Sequence, residues 1–211
     1  MFFQNIMHIK YYLKKFIIFQ IYLNIKDSIK WSFRNFSPPS PPYIKHKIIK
    51  NHLIPNSIFI ETGTLIGDTI IKLSKNFSEC FTIEPSNKFY NISKIRLKNY
   101  KNVKIINKTS EEALGDILKN IKNNNVTFYL DAHDSGVQTY AGEEMTPVIK
   151  ELNFISEYKN NMNNFVVIID DVRDFKKNTP YPDVSYLFNF AINHNMEISI
   201  EHDMFIMKFF K

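Results

Sequence analysis

The sequence predicts an α/β protein built on one mostly parallel β-sheet with helices on both of its faces. From about residue 57 onward, short apolar runs of strand length alternate with longer segments of helical periodicity. The last two strand-like runs are separated only by His202 and Asp203, which predicts an antiparallel hairpin at one edge of the sheet. With 211 residues, 44% of them hydrophobic, the chain can form one domain with a substantial core and an appendage.

Seven strands and five helices follow from this pattern. The strands are predicted at residues 57–61, 80–84, 103–107, 126–131, 165–170, 197–201 and 204–210. Helices are predicted at 68–76, 87–97, 110–120 and 147–158 between the first five strands, and at 184–193 before the last two. Thr146 and Pro147 are typical of an N-cap followed by proline in the first helical position. The predicted fold is therefore a Rossmann-like, doubly wound, seven-stranded sheet.

The N-terminal part of the chain has a different character. Residues 1–36 are predicted to be a helical extension, 37–43 a proline-rich linker containing "SPPSPP", and 44–211 the main domain. Apolar residues with helical spacing run through the first 31 positions, at Ile9, Tyr12, Phe16, Phe19 and Leu23. Lysines interrupt this segment, so it does not resemble a membrane span. Three alternatives stay open: a helix packed on the domain or on a second subunit, a peripheral membrane helix, or disorder.

Charge and cysteine content limit the kinds of partner and site that the chain is expected to have. The net charge is +6, but lysine, asparagine, isoleucine, phenylalanine and tyrosine are all abundant, as AT-rich codons favour. We therefore expect no nucleic-acid partner, because the excess charge has a compositional explanation. One cysteine, Cys80, excludes an internal disulfide and a CxxC metal site. A cytoplasmic location is the expectation.

A ligand-binding turn is predicted where the first strand ends, in "IFIETGTLIGDT". Gly63 and Gly67 allow a tight turn and close approach of the backbone to a ligand. Leu65 stands where a dinucleotide fingerprint has its middle glycine, which argues against a diphosphate. Glu61 would repel a diphosphate and would suit a cation such as an amino group.

A second acid indicates a nucleoside. Glu84 ends the next strand, 84 − 63 = 21 residues beyond Gly63, the spacing typical of a ribose-binding acid. S-Adenosylmethionine combines a nucleoside with a positively charged amino acid and has no phosphates, so it satisfies both acids. The alternative is an ordinary strand–turn–helix with surface acids.

Three further carboxylates follow the fourth and fifth strands, at Asp131, Asp170 and Asp171. Neighbouring parallel strands would bring them together, and such a cluster favours Mg²⁺ or a similar cation. Alternatively, Asp131 caps a turn, and the other two acids pair with Arg173 or a lysine.

The motifs "FIETGTLIGDT", "TIEPS", "FYLDAHDSG", "TPVIKEL" and "VIIDDVRDF" resemble those of class I S-adenosylmethionine-dependent methyltransferases. The likeness covers residues 36–175 and is greatest to a branch often associated with glycan or polysaccharide biosynthesis. It implies that Glu61, Gly63 and Gly67 line the methionine part of the cofactor and that Glu84 binds the ribose. Ser110 and Glu111 would lie near the adenine, and Thr64 and Thr69 in the same turn complete the candidate cofactor ligands.

The carboxylate end is similar to that of metal-dependent O-methyltransferases. That similarity implies that Asp131, Asp170 and Asp171 hold a divalent metal, with Asp131 or His133 in a catalytic role and His133 as the candidate base. Asp134 stands where the catechol type has a lysine, so the chain departs from the pattern there.

The leading hypothesis is O-methylation of a hydroxyl on a sugar, glycan or small polyol, using S-adenosylmethionine and Mg²⁺ or a similar ion. One alternative is a metal-dependent hydrolase or non-methyl transferase on the same fold. Another is an inactive binding module tethered to a membrane or a partner through residues 1–31, which are also the candidate homodimer contact.

Overall fold

The structure is a computed structural model, and it describes residues 17–131 and 146–211. Within it the chain divides into two compact units, residues 1–47 and 48–211. The first unit contains helix α1 (Ile17–Ser32) and most of helix α2 (Pro42–His52). The sequence analysis assigned no helix to 42–52. Proline is tolerated at Pro42 because the first residue of a helix needs no amide donor.

The second unit is organised around one seven-stranded sheet. Its strands are β1 (Ile58–Thr62), β2 (Glu79–Ile83), β3 (Val103–Ile106), β4 (Asn124–Leu130), β5 (Met162–Ile169), β6 (Glu197–Glu201) and β7 (Met204–Phe209). Its other helices are α3 (Asp68–Leu73), α4 (Asn87–Leu97), α5 (Ser110–Asn120), α6 (Val148–Glu157) and α7 (Val184–Asn193). Three short 3₁₀ turns lie at Ser74–Asn76, Lys159–Asn161 and Val172–Asp174.

The strand order is β3-β2-β1-β4-β5-β7-β6. The first five strands are parallel, whereas β7 runs antiparallel to both β5 and β6. This arrangement confirms the predicted Rossmann-like fold and its antiparallel closing hairpin. The chain reverses its direction of winding between β1 and β4, and ligands of open α/β sheets bind beside that point.

The core lies on both faces of the sheet because the central strands are apolar on both sides. All five residues of β1 are buried, as two-sided burial of a parallel strand requires. On one face β1 and β4 pack against α5 and α6 through residues such as Ile60, Leu114 and Leu152. Phe59, on the other side of β1, stacks on Phe77 with 4.5 Å between the ring centroids.

Several predicted boundaries differ from the structure by one to three residues, and the start of α6 is one of them. Helix α6 begins at Val148, with Pro147 as its N-cap residue and no side-chain cap. The Pro147 carbonyl accepts the Glu151 amide at 2.9 Å, so the backbone of the proline, and not the Thr146 hydroxyl, begins the helix.

Candidate functional site

The sheet brings the ends of four strands to one edge. In register, Thr62 of β1 lies beside Ile83 of β2 and Leu130 of β4, and Leu130 lies beside Ile169 of β5. The residue after each strand continues the pairing: the Asp131 amide donates to the Thr62 carbonyl at 3.2 Å. The acids at these strand ends therefore lie along one edge, as the sequence analysis expected.

The turn after β1 uses left-handed backbone at three positions. Gly63 has φ 85°, Leu65 φ 49° and Gly67 φ 77°. Leucine adopts this region at a cost of about 1 kcal/mol. Two contacts hold it there: the Leu65 amide donates to Glu84 at 2.7 Å, and its carbonyl accepts the Ser93 hydroxyl at 2.6 Å. The turn is thus fixed to the end of β2 and to helix α4.

Glu84 is a buried carboxylate that accepts two backbone hydrogen bonds. One oxygen accepts the Leu65 amide at 2.7 Å and the other the Ser86 amide at 2.9 Å. Burial raises the pKa of Glu84, and these two backbone hydrogen bonds oppose the rise. An ionised carboxylate has about four acceptor positions, and the described residues fill two of these, which leaves two for a ligand within that part of the chain. Two hydroxyls on adjacent carbons, as in a ribose, match that capacity.

Glu61 is 1% exposed, and its neighbours are acidic. Burial raises its pKa from 4.5 to about 8, and the charges of Asp131 and Glu84 add to the rise. The Thr82 hydroxyl donates to Glu61 at 2.5 Å and lies 2.5 Å from the Thr64 hydroxyl. A cation bound beside Glu61 would reverse this shift, so the site as described favours a positively charged ligand.

Glu151 is a site residue that the sequence analysis missed. It lies on α6 and is 1% exposed, and its Oε1 has no hydrogen-bond partner among the described residues. The buried Thr62 Oγ1 likewise has none within that part of the chain. Burial raises the pKa of Glu151 to about 7, and the nearby hydroxyls of Ser110 and Thr62 oppose the rise.

The sequence did contain a signal for Glu151. Val148, Leu152 and Ile155 form the buried face of α6, and Glu151 falls three residues after the first and four before the last. An acid on the apolar face of a helix is rarely buried without a reason.

Ser110 and Glu111 begin α5 beside Glu151. Ser110 is buried, and its hydroxyl lies 3.5 Å from a Glu111 carboxylate oxygen. Thr109 and Glu112 cap the helix in a capping box. The structure therefore brings the start of α5 to the same edge of the sheet, while the assignment of these residues to adenine stays a prediction.

The acids after β4 and β5 contact two different partners, Tyr129 and Arg173. The Tyr129 hydroxyl donates to Asp170 at 2.6 Å and lies 3.2 Å from Asp131. Asp171, whose backbone is left-handed at φ 56°, instead accepts a hydrogen bond from Arg173 at 2.6 Å. Arg173 also contacts Asp203 in the closing hairpin.

These contacts do not fit the predicted magnesium site. Within residues 17–131 and 146–211, no three His, Cys, Asp or Glu side chains are arranged to hold a metal ion. Asp171 already has a cationic partner, because the Arg173 guanidinium lies 2.6 Å from its carboxylate. His133, the candidate base, lies outside the described residues.

Thr69 and Gly67 lie at the start of α3, a helix of only six residues. Gly67 is its N-cap residue, and no side chain caps this end. The role of Thr69 in cofactor binding stays a prediction.

A separate cleft of about 710 Å³ lies at the opposite edge of the sheet. It is lined by residues at the starts of strands, including Ile58, Glu79 and Asn124. It lies away from the strand-end acids, and we do not place the chemistry there, because ligands of such sheets bind beyond the carboxyl ends of the strands.

Comparison with known proteins agrees with this architecture. No protein-family model matches the chain, and no curated protein matches it. Among solved structures, a candidate rRNA methylase from Clostridium thermocellum is similar with a TM-score of 0.53 and 12% identity, over 82% of this chain and 97% of that one. Precorrin-6y C5,15-methyltransferase from Geobacter metallireducens is similar with a TM-score of 0.52 and 10% identity, over 79% of this chain and 87% of that one.

A third similar structure was solved with a ligand. A candidate methyltransferase from Streptococcus mutans in complex with S-adenosylhomocysteine has a TM-score of 0.51 and 16% identity, over 81% of this chain and 97% of that one. At these identities the likeness concerns the fold. The chain has the Rossmann-like fold of S-adenosylmethionine-dependent methyltransferases.

Proposed function

We propose that the chain is an S-adenosylmethionine-dependent methyltransferase that acts on a hydroxyl of a sugar or small polyol. The observation that carries the proposal is Glu84, a buried carboxylate held against the Gly63–Gly67 turn, of whose roughly four acceptor positions the described residues use two. This acid sits beside the β1–β4 reversal, where this class of sheet binds nucleosides.

The charge of the site supports a cationic cofactor. Glu61 and Glu151 both have raised pKa values because they are buried, and the charges around them are acidic. A sulfonium and an ammonium group are positive, so their binding would favour the ionised form of nearby carboxylates. When bound, S-adenosylmethionine supplies an electrophilic methyl group.

Asp131 is the chain's candidate proton acceptor. It follows β4 directly, is half-buried, and contributes to the raised pKa of Glu61, so it lies close to the proposed cofactor site. As the acceptor oxygen bonds to the methyl carbon and the methyl–sulfur bond breaks, the hydroxyl proton would pass to this carboxylate. The magnesium ion inferred from the sequence is no part of this proposal, because the acids do not fit it.

The charge distribution supports a small acceptor. The chain contains 27 basic residues (Lys and Arg) and 21 acidic residues (Asp and Glu). Six of the basic residues and one of the acidic residues lie within residues 1–36. The remaining 175 residues thus carry 21 basic and 20 acidic side chains, a net charge of +1. A nearly neutral domain lacks the excess positive charge typical of nucleic-acid binding.

The test is calorimetric titration with S-adenosylhomocysteine. We expect micromolar binding, unchanged by added Mg²⁺, and a loss of about 100-fold or more in Glu84→Ala, because two charge-assisted hydrogen bonds are removed. Glu79→Ala, at the other end of the same strand, is the matched control and should bind normally. A folded wild-type protein that gives no heat of binding would refute the proposal.

The acceptor role of Asp131 is tested separately. With a methylated acceptor in hand, Asp131→Asn should reduce kcat strongly while leaving the affinity for S-adenosylhomocysteine within about threefold. An equal loss of both would place Asp131 in cofactor binding instead.

A further inference from the structure

Helix α1 exposes a continuous apolar stripe. Its members recur three and four residues apart and are each 51–83% exposed: Ile18, Ile21, Tyr22, Ile25 and Ile29. Soluble proteins rarely leave a patch of this kind in water without a partner.

Other residues of the helix make contacts within the first unit. Trp31 is buried, and its indole N–H donates to the Ser37 carbonyl at 2.9 Å. The Ser28 hydroxyl lies 2.6 Å from the Tyr43 hydroxyl on α2. These contacts fix one side of α1 and leave the isoleucine stripe facing outward.

The charge of this segment is strongly positive. Residues 1–36 contain Lys10, Lys14, Lys15, Lys26, Lys30 and Arg34 against Asp27, so 6 − 1 = +5 of the chain's net +6 lies here. Lys26 and Lys30 are exposed. At about 100° per residue they fall along one flank of the stripe, where their ammonium groups can reach past the apolar side chains.

An apolar stripe with a basic flank complements an anionic lipid surface. The isoleucines would enter the boundary between headgroups and acyl chains, while the lysines would contact the negative headgroups. A second copy of the chain fits less well, because it would cover the isoleucines and present no acidic stripe to the lysine flank. A nucleic acid would account for the lysines and leave the isoleucines unexplained.

We propose that the stripe of α1 and its lysine flank form a docking surface for anionic membranes. No helix in the described ranges is long and apolar enough to cross a bilayer, so the contact would be peripheral. This inference goes beyond methyl transfer and does not depend on it, since it rests only on residues of the first unit.

The test is co-sedimentation of the full chain with vesicles of phosphatidylcholine alone and of phosphatidylcholine with one quarter phosphatidylglycerol. We expect binding to the anionic vesicles only. Lys26→Gln with Lys30→Gln should weaken it about 25-fold, at about fivefold for each lysine. Ile21→Asp with Ile25→Asp should abolish it, whereas Ile95→Asp, an equally exposed isoleucine on α4, should bind like wild type.

Circular dichroism establishes that each variant is folded, and the lysine variant tests the surface without altering its apolar residues. Three results would overturn the proposal. The first is that the folded wild-type protein does not bind anionic vesicles. The second is that the isoleucine variant binds them as well as the wild type does. The third is that the isoleucine substitutions only dissociate a dimer. Binding to RNA that competes with the vesicles and is insensitive to Ile21→Asp would likewise reject it.

Discussion

Replacing Glu61 with glutamine should stabilise the ligand-free protein at alkaline pH. The native pKa of this buried acid is raised to about 8 from an ordinary 4.5. Its contribution to stability is fully present below pH 4.5 and is lost as the pH rises through 8, because the unfolded chain ionises first. At about 1.4 kcal/mol per pH unit, the loss amounts to about 5 kcal/mol at most.

Glutamine keeps the shape of the side chain and cannot ionise, so the variant should escape this loss. We expect the difference in unfolding free energy between Glu61→Gln and wild type to grow by about 3 kcal/mol between pH 5 and pH 9, less than the maximum because the site relaxes around a charge. The assay is urea unfolding followed by far-ultraviolet circular dichroism at each pH unit, at constant ionic strength.

Glu79→Gln is the control, because Glu79 begins the neighbouring strand and pairs with Lys104 on the surface. Its stability curve should run parallel to that of wild type. If the curves of wild type and Glu61→Gln are also parallel, the reasoning about the buried acid is refuted. The same variant should bind S-adenosylhomocysteine more weakly, since the acid that costs stability is the one that attracts the cofactor.

Three further substitutions probe the site by the same unfolding assay. Gly67→Ala should lower the unfolding free energy by about 1 kcal/mol, because alanine is strained at a φ of 77°. Packing should add little to this cost, since a Cβ would lie 3.5 Å from Ile70 and 3.7 Å from Leu97, which are ordinary contact distances. A loss above about 3 kcal/mol would show that the turn cannot adjust. Arg173→Ala should cost about 2–3 kcal/mol of unfolding free energy, because it removes the cation beside the buried carboxylates of Asp171 and Asp203. Adding Asp203→Asn should restore part of that loss, and no restoration would exclude charge repulsion as the cause. The unfolding free energy of Glu151→Gln should rise by about 2 kcal/mol relative to that of wild type between pH 5 and pH 9, because the pKa of Glu151 in the wild type is raised to about 7. If the difference in unfolding free energy between the two proteins does not change with pH, Glu151 ionises freely.

The strands were predictable because their chemistry is local. Near-continuous apolar runs, each ending in a polar residue, mark strands buried on both faces, and the runs around Phe59, Phe128 and Val167 are of that kind. Helix α2 was missed because the prolines that lead into it and the lysines within it obscure its short apolar face, formed by Ile48 and Ile49.

The partners of the acids were less predictable because they depend on contacts between distant parts of the chain. Arg173 reaches Asp203 across 30 residues through the β5–β7 pairing, so a metal site and an ion pair looked equally reasonable in the sequence. The burial of Glu151 likewise depends on the packing of α6 against α5 and β1, which a helical pattern alone does not specify.

The position of β7 has a consequence for how the sheet is made during synthesis. It is the last of the seven strands in chain order, yet it lies between β5 and β6. Until β7 has emerged from the ribosome, β5 presents an unpaired edge along 165–169, and β6 lacks the one strand with which it pairs in the described sheet. Bare apolar edges pair readily with other chains. Each nascent chain is therefore exposed to aggregation until β7 has emerged and paired, whatever the stability of the finished fold.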